Sequence, residues 1–229
     1  MKPAFTIFAL LTLCLLSYAL YAALVVAPTE LTMGDVQRIF YYHVPSAWTA
    51  FILFTINFVA SVVYLIKRSV KADIVALVSA EVGVVFCTVV LVTGPIWARP
   101  VWGIWWTWDI RLTTTLVLWL IYVAYLMLRR FSVGSQTALI AAVLAVFGAL
   151  DVPLVYFSIW FFRTQHPSPV IGKGGSLDPV MAHVLLINWA AFMCFGFLVC
   201  WSRYRLEKVK RDTEETQALE ALLEHGAPR

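Results

Sequence analysis

Five of the chain's ten tryptophans fall within one stretch of twelve residues: Trp97, Trp102, Trp105, Trp106 and Trp108. The surrounding run reads GPIWARPVWGIWWTWDIRLTTT, so Arg99, Asp109 and Arg111 are interleaved with the indoles. Tryptophan favours membrane–water interfaces, but a simple aromatic belt spreads it over many helix ends. Five in one segment, shaped by glycine and proline, suit a flat shelf. Indole faces stack on planar rings, and guanidinium groups pair carboxylates in two-pronged fashion. The pattern therefore suits a large planar apolar ligand that carries anionic groups.

Histidine is scarce, with four in the chain. His43 lies in RIFYYHVPSAW and His166 in WFFRTQHPSPV, one on each side of the tryptophan run in sequence. An iron porphyrin takes axial ligands on its two opposite faces, and neutral imidazole is a common one. Two segments that each supply one histidine would clamp such an iron. Pro45, Pro167 and Pro169 limit the backbone beside them. Two interfacial histidines with no ligand are the plain alternative. His183 reads as a packed residue bonded to a neighbour, or as a supporting or alternative ligand. His225 reads as solvated.

These groups need elements to hold them, and the composition says which kind. The chain has 229 residues; 62% are hydrophobic and 13% charged. A soluble domain has roughly 45–50% and ~25%. An ordinary soluble globule and a disordered chain are excluded. A net charge of +4 on so apolar a chain also excludes a phosphate-tracking nucleic-acid binder. A spanning helix needs about 20 apolar residues, and six runs qualify. They are Phe5–Val26, Ala47–Ile66, Ile74–Val92, Leu112–Leu128, Ala138–Phe162 and Val180–Trp201. The expected fold is all-α and polytopic, with six transmembrane helices and the first an uncleaved anchor.

Six spans put both ends of the chain on one side. Of the 17 Lys and Arg residues, all but Arg38, Arg99, Arg111, Arg163 and Lys173 fall in the terminal and even-numbered connections. The positive-inside rule makes that side, and both termini, cytoplasmic. The connections 27–46, 93–111 and 163–179 then face outward as loops, and they carry His43, the tryptophans and His166. Residues 1–206 read as one six-helix membrane domain and 207–229 as a cytoplasmic tail. Cys14, Cys87, Cys194 and Cys200 lie in apolar runs with no CxxC or CxxCH spacing, so neither a redox pair nor covalent haem attachment is written here.

Glu81 and Asp151 fall within spans. Intramembrane carboxylates are costly and point to function by default. Here structural polar contacts, partner contact and proton handling all remain open. Asp151 precedes Pro153, which removes a backbone donor, and a protonated Asp151 would hydrogen-bond within the resulting kink. No Walker A, GxSxG or HExxH motif occurs, and no Ser/His/Asp set gathers on the outer face. The chain reads as a handler of its ligand more than as an enzyme. Two other readings stand beside it. One is a membrane assembly scaffold without a cofactor. The other is a haem-bearing electron-transfer subunit, which the placement of the histidines disfavours.

WGIWWTWDIRLT, Trp102 to Thr113, resembles the tryptophan-rich WWD signature of haem-handling proteins in cytochrome c biogenesis. With HVP at His43, RTQHP at His166 and six spans, the chain is similar to the haem exporter protein C (CcmC) branch from Met1 to about Arg205. Gln165 stands where that branch would have an apolar residue. The resemblance implies a bacterial inner-membrane protein that holds haem b as transient cargo at its periplasmic face. His43 and His166 would be the axial ligands, and the tryptophan segment with Trp97, Arg99, Asp109 and Arg111 the platform. Either Arg99 or Arg111 would pair a propionate; Asp109 would share in binding or instead anchor Arg111. The implied partners are the haem chaperone CcmE, the ABC-type subunits CcmA and CcmB, and the small membrane protein CcmD.

Overall fold

A computed structural model describes residues 3–132, 134, 136–162, 164–167 and 177–226. The calls on Lys2, Arg163, Pro169, Lys173 and Arg229 lie outside the described residues, as does the side chain of His225. The fold is all-α. It comprises α1 (Pro3–Tyr21), a π-helical turn (Ala22–Val26), a 3-10 turn (Asp35–Ile39), α2 (Phe40–Lys67), α3 (Val70–Trp102), α4 (Ile110–Phe131), α5 (Thr137–Ala149), α6 (Asp151–Phe161) and α7 (Pro179–Gly226). Six stretches are long and apolar enough to cross a membrane, α5 and α6 together forming the fifth.

The bundle is closed by α7 lying antiparallel to α1. Phe5 meets Trp201 edge to face at 5.3 Å, while Asn188 donates to the Ala19 carbonyl at 3.2 Å. Both chain ends therefore occupy one face of the bundle. The opposite face gathers the start of α2, the ends of α3 and α6, and the start of α4. Arg38 fastens this face by donating to the carbonyls of Ala23 (2.9 Å) and Ala27 (3.3 Å).

The core forms where α2, α3 and α4 meet. Phe54 and Tyr122, both fully buried, stack at 3.8 Å. Gly83 allows the close approach, since a Cβ there would lie 2.7 Å from the Phe54 ring. Towards the chain-end face, Asp73 on α3 takes two hydrogen bonds from Arg129 (2.5 and 2.8 Å) and an ion pair from Arg211 on α7 (2.8 Å). Glu81 takes two from Arg203, each at 2.9 Å. This accounts for Glu81 as a charge paired between α3 and α7. The 206/207 boundary falls inside the unbroken α7.

Two helices reach further than their apolar runs. α2 begins at Phe40, so His43 sits in its first turns and not in a loop. α3 continues to Trp102, so Trp97, Arg99 and Trp102 are helical too, and only 103–109 connects α3 to α4. Pro45, Pro95 and Pro100 lie inside these helices. An interior proline costs about 3 kcal/mol and normally ends a helix. Here the two prolyl segments pack on each other, with Trp97 6.1 Å from Phe40 and 5.8 Å from His43, ring to ring. That burial offsets the lost hydrogen bonds. α3 ends where Gly103 adopts φ +78 and its N–H returns to the Arg99 carbonyl at 3.0 Å, a left-handed stop suited to glycine.

The fifth span carries a one-residue irregularity at Leu150, whose own backbone stays right-handed helical (φ −65, ψ −24). α5 ends at Ala149 and α6 starts at Asp151, two residues before Pro153. Just before Leu150, Gly148 lies so close to Ile121 that a Cβ would come within 2.6 Å of it. Asp151 is buried, but its Oδ2 has no hydrogen-bond partner among the described residues. The sequence suggested a hydrogen bond from a protonated Asp151 within a kink here, and Oδ2 makes none among the described residues. Beyond it, α6 packs chiefly on α4.

Candidate ligand-binding site

On the face opposite the chain ends, the helix termini enclose a cavity of about 480 Å³. His43 from α2, Trp97 and Trp102 from α3, Trp106 from the connection, Arg111 from α4 and His166 from the 162–178 connection all line it. A space of this size with apolar walls and few polar groups is typical of small-ligand sites.

The two imidazoles are neighbours, with ring centres 6.5 Å apart and planes inclined by 32°. Their protonation follows from their partners. His43 Nδ1 lies 2.9 Å from Thr93 Oγ1, and that hydroxyl donates its proton to the Val89 carbonyl at 2.7 Å. The hydroxyl oxygen is therefore left to accept, and Nδ1 must carry the hydrogen. His166 Nδ1 lies 3.0 Å from the Pro167 carbonyl, which can only accept. In both rings the lone pair is on Nε2. Two neutral imidazoles with free Nε2 atoms are the form that ligates a metal.

Asp109 sits behind His166 and does not line the cavity. As the N-cap of α4, its Oδ1 accepts from the Leu112 N–H at 3.0 Å. Its Oδ2 accepts from the Thr164 hydroxyl at 3.0 Å, and Thr164 Oγ1 accepts from the His166 N–H at 3.1 Å. One carboxylate thus aligns the first turn of α4 and tethers the histidine segment. It makes no ion pair with Arg111 among the described residues. Burial, aided by the Arg111 charge, pushes the His166 imidazole down to about 4, from roughly 6.5 for a free side chain.

The cations divide. Arg111 faces the cavity, with no side-chain hydrogen bond or ion pair among the described residues. Arg99 turns to the Gly103 carbonyl and is exposed. The indoles divide as well. Trp105 and Trp108 are 58% and 76% exposed and do not line the cavity. Trp97 and Trp106 do, and their buried Nε1 atoms have no hydrogen-bond partner among the described residues. Two N–H donors therefore stand uncommitted beside the cavity. His183 is exposed and lies off the cavity wall, so it is neither a packed core residue nor a ligand beside this pair.

Sequence reasoning passed over Thr93, Thr164 and Glu30. Thr164 is within two residues of His166, where a hydroxyl commonly bonds nearby backbone; that signal was available. Thr93 is 50 residues from His43, and nothing local connects them. Glu30 closes the turn before α2, accepting from the Thr32 hydroxyl (2.7 Å) and N–H (2.8 Å) and from Met33 N–H. Those bonds, led by the hydroxyl, hold its carboxyl below the usual range.

Comparison with known proteins relates the chain's sequence to one family. Residues 1–219 match the profile of the family described as Heme exporter protein C. Heme exporter protein C of Bradyrhizobium diazoefficiens is 34% identical over 213 residues, covering 92% of this chain and 81% of that protein. Its counterpart in Haemophilus influenzae is 34% identical over 215 residues, covering 91% and 86%. A putative cytochrome c biosynthesis ccmC-like mitochondrial protein of Marchantia polymorpha is 32% identical over 179 residues, covering 78% and 76%.

Proposed function

The chain belongs to the haem exporter protein C family, and on that footing we propose that it holds haem between His43 and His166 at the periplasmic face of the bacterial inner membrane and passes it to the chaperone CcmE. A role in haem handling for cytochrome c maturation follows from family membership. What carries the finer reading is the histidine pair. Two imidazoles that each bond one metal at about 2 Å have ring centres about 6–6.5 Å apart. These rings are 6.5 Å apart, with both Nε2 lone pairs free.

The chain's own groups divide the work. His43 rides on a packed helix and gives a fixed ligand. His166 sits on a connection tethered through Thr164 and Asp109, and gives the ligand that can move. Trp97, Trp102 and Trp106 present ring faces and edges to a macrocycle. Arg111 is the cation placed to pair a propionate, Arg99 being committed to Gly103. The uncommitted Nε1–H groups of Trp97 and Trp106 can donate to the same anionic edge. Trp105 and Trp108, exposed on the rim, offer an aromatic surface to the receiving protein. Haem b is the cargo; CcmA, CcmB and CcmD are the expected companions in the membrane. The basic residues of the chain-end face support a cytoplasmic assignment for that side.

The test is an absorption spectrum of the purified protein after haem supply, beside His43→Ala and His166→Ala. A Soret band that weakens or shifts in each variant is expected. A colourless wild type refutes the haem reading, and a band unchanged in both variants removes these two ligands.

A further inference from the structure

A second cavity, of about 560 Å³, lies beside the first. Trp48, Phe51 and Tyr156 wall both, so only these side chains divide them. The rest of its lining is apolar, including Ile52 from α2, Val152 and Phe157 from α6, and Leu186 from α7. α5 packs chiefly against α2, whereas α6 packs chiefly against α4. The outer half of the bundle is thus parted along one side, between α6 and the α2–α7 pair. Phe157 and Leu186 at its edges are 48% and 46% exposed. All of these residues lie in stretches long and apolar enough to cross a membrane, so in a bilayer this apolar side is at the depth of the acyl chains.

We propose that this parting is a lateral window through which haem reaches the site from the leaflet on that side. The proposal rests on the haem reading above. A porphyrin in a bilayer keeps its ring among the acyl chains and its carboxylates at headgroup level, as amphipathic groups do. Arg111 is the second residue of α4, at the end of a stretch long and apolar enough to span a membrane, where headgroups are expected. Haem can therefore move sideways into the cavity at constant depth, with its apolar ring never exposed to water. Trp48 and Tyr156 form the gate between lipid and site.

A window has a kinetic signature. It changes the rates of arrival and departure by the same factor and leaves affinity untouched, because it alters the path and neither end state. Ile52→Trp and Leu186→Trp fill the window without touching the site. Phe157→Ala widens it. Each is reconstituted in nanodiscs. Arrival is read as the change in Soret band when haem partitioned into the nanodisc lipid becomes ligated, and departure as loss of that ligated band into the lipid after excess haem-free vesicles are added. The filled variants should slow both rates by about tenfold, equivalent to about 1.4 kcal/mol of added barrier, with Kd unchanged. Phe157→Ala should speed both. Unchanged rates in all three variants overturn the proposal, as does an effect on affinity without matched rates. If either filled variant fails to fold, Phe157→Ala decides: no acceleration overturns the window. A wild type with no Soret band counts against the haem reading itself, and the window falls with it.

Discussion

Replacing Thr93 with valine removes one oxygen and keeps the side chain's shape. In the wild type that oxygen gives its proton to the Val89 carbonyl at 2.7 Å and accepts the His43 Nδ1–H at 2.9 Å. Thr93→Val leaves the imidazole, which is 8% exposed, with a buried N–H and no acceptor. An unsatisfied buried donor costs about 1–3 kcal/mol. The ring can relieve that cost only by moving its hydrogen to Nε2, which occupies the ligating lone pair, or by turning away from the cavity. Either route draws on binding energy. Losing the partner that orients a metal-ligating histidine typically costs about 10–100-fold in affinity, or about 1.4–2.7 kcal/mol, in accord with the first figure. The assay is a haem titration followed at the Soret band, with Thr93→Ser alongside. Serine keeps the hydroxyl and should bind close to wild type. If valine binds as tightly as threonine, or if serine is as weak as valine, the tautomer argument is wrong.

His166 is held neutral until the pH approaches 4, so protons should not compete for its Nε2 above about pH 5. Haem ligation should be flat from pH 8 to about 5 and fall below it; a midpoint near 6.5 would show a solvent-exposed ring. Raising the pH cannot restore what is already deprotonated, so the loss runs only in the acid direction. Gly83→Ala would place a Cβ 2.7 Å from the Phe54 ring, which is stacked on Tyr122 and cannot swing aside. Overpacking of this kind costs about 1–3 kcal/mol, to be read as a lower midpoint of thermal unfolding in detergent, with the Soret position unchanged in molecules that still fold. Asp73→Asn removes the charge shared by Arg129 and Arg211. Breaking one side of a buried ion pair costs about 3–5 kcal/mol, so the variant should lose helix cooperativity in chemical denaturation far more than Lys210→Ala, whose partner Glu214 is solvent-exposed.

The six spans were legible because their runs of Leu, Val, Ile and Phe carry the signal themselves. The ends of those spans were not. Pro45, Pro95 and Pro100 disfavour helix interiors, and the polar and aromatic residues around them, Tyr41, Trp97 and Arg99, dilute the apolar signal. Packing of Trp97 against Phe40 and His43 carries both helices past their prolines, and that contact joins residues more than 50 apart. The cavity's membership was partly legible for a related reason. The run from Trp97 to Arg111 gives the residue types, but helical turns decide which faces inward. Trp97, Trp102, Trp106 and Arg111 line the cavity, whereas Trp105, Trp108, Arg99 and Asp109 do not. Asp109 shows the limit most clearly. Its position before α4 marks it as a helix cap, yet its second bond, to Thr164, depends on where a connection 55 residues away comes to rest.

The acceptors behind the two imidazoles are a hydroxyl and a peptide carbonyl. Many permanent metal sites place a carboxylate there, which draws on the ring hydrogen, makes the far nitrogen a stronger base and tightens the metal bond. Neutral acceptors orient the ring without that electronic push. Under the proposed ligation, each imidazole would offer iron a donor of ordinary strength, and its displacement by another protein's ligand would meet less resistance. A respiratory carrier that must keep its haem for a lifetime would gain from the stronger arrangement. A courier gains from the weaker one, because the quantity that matters to it is how readily it lets go.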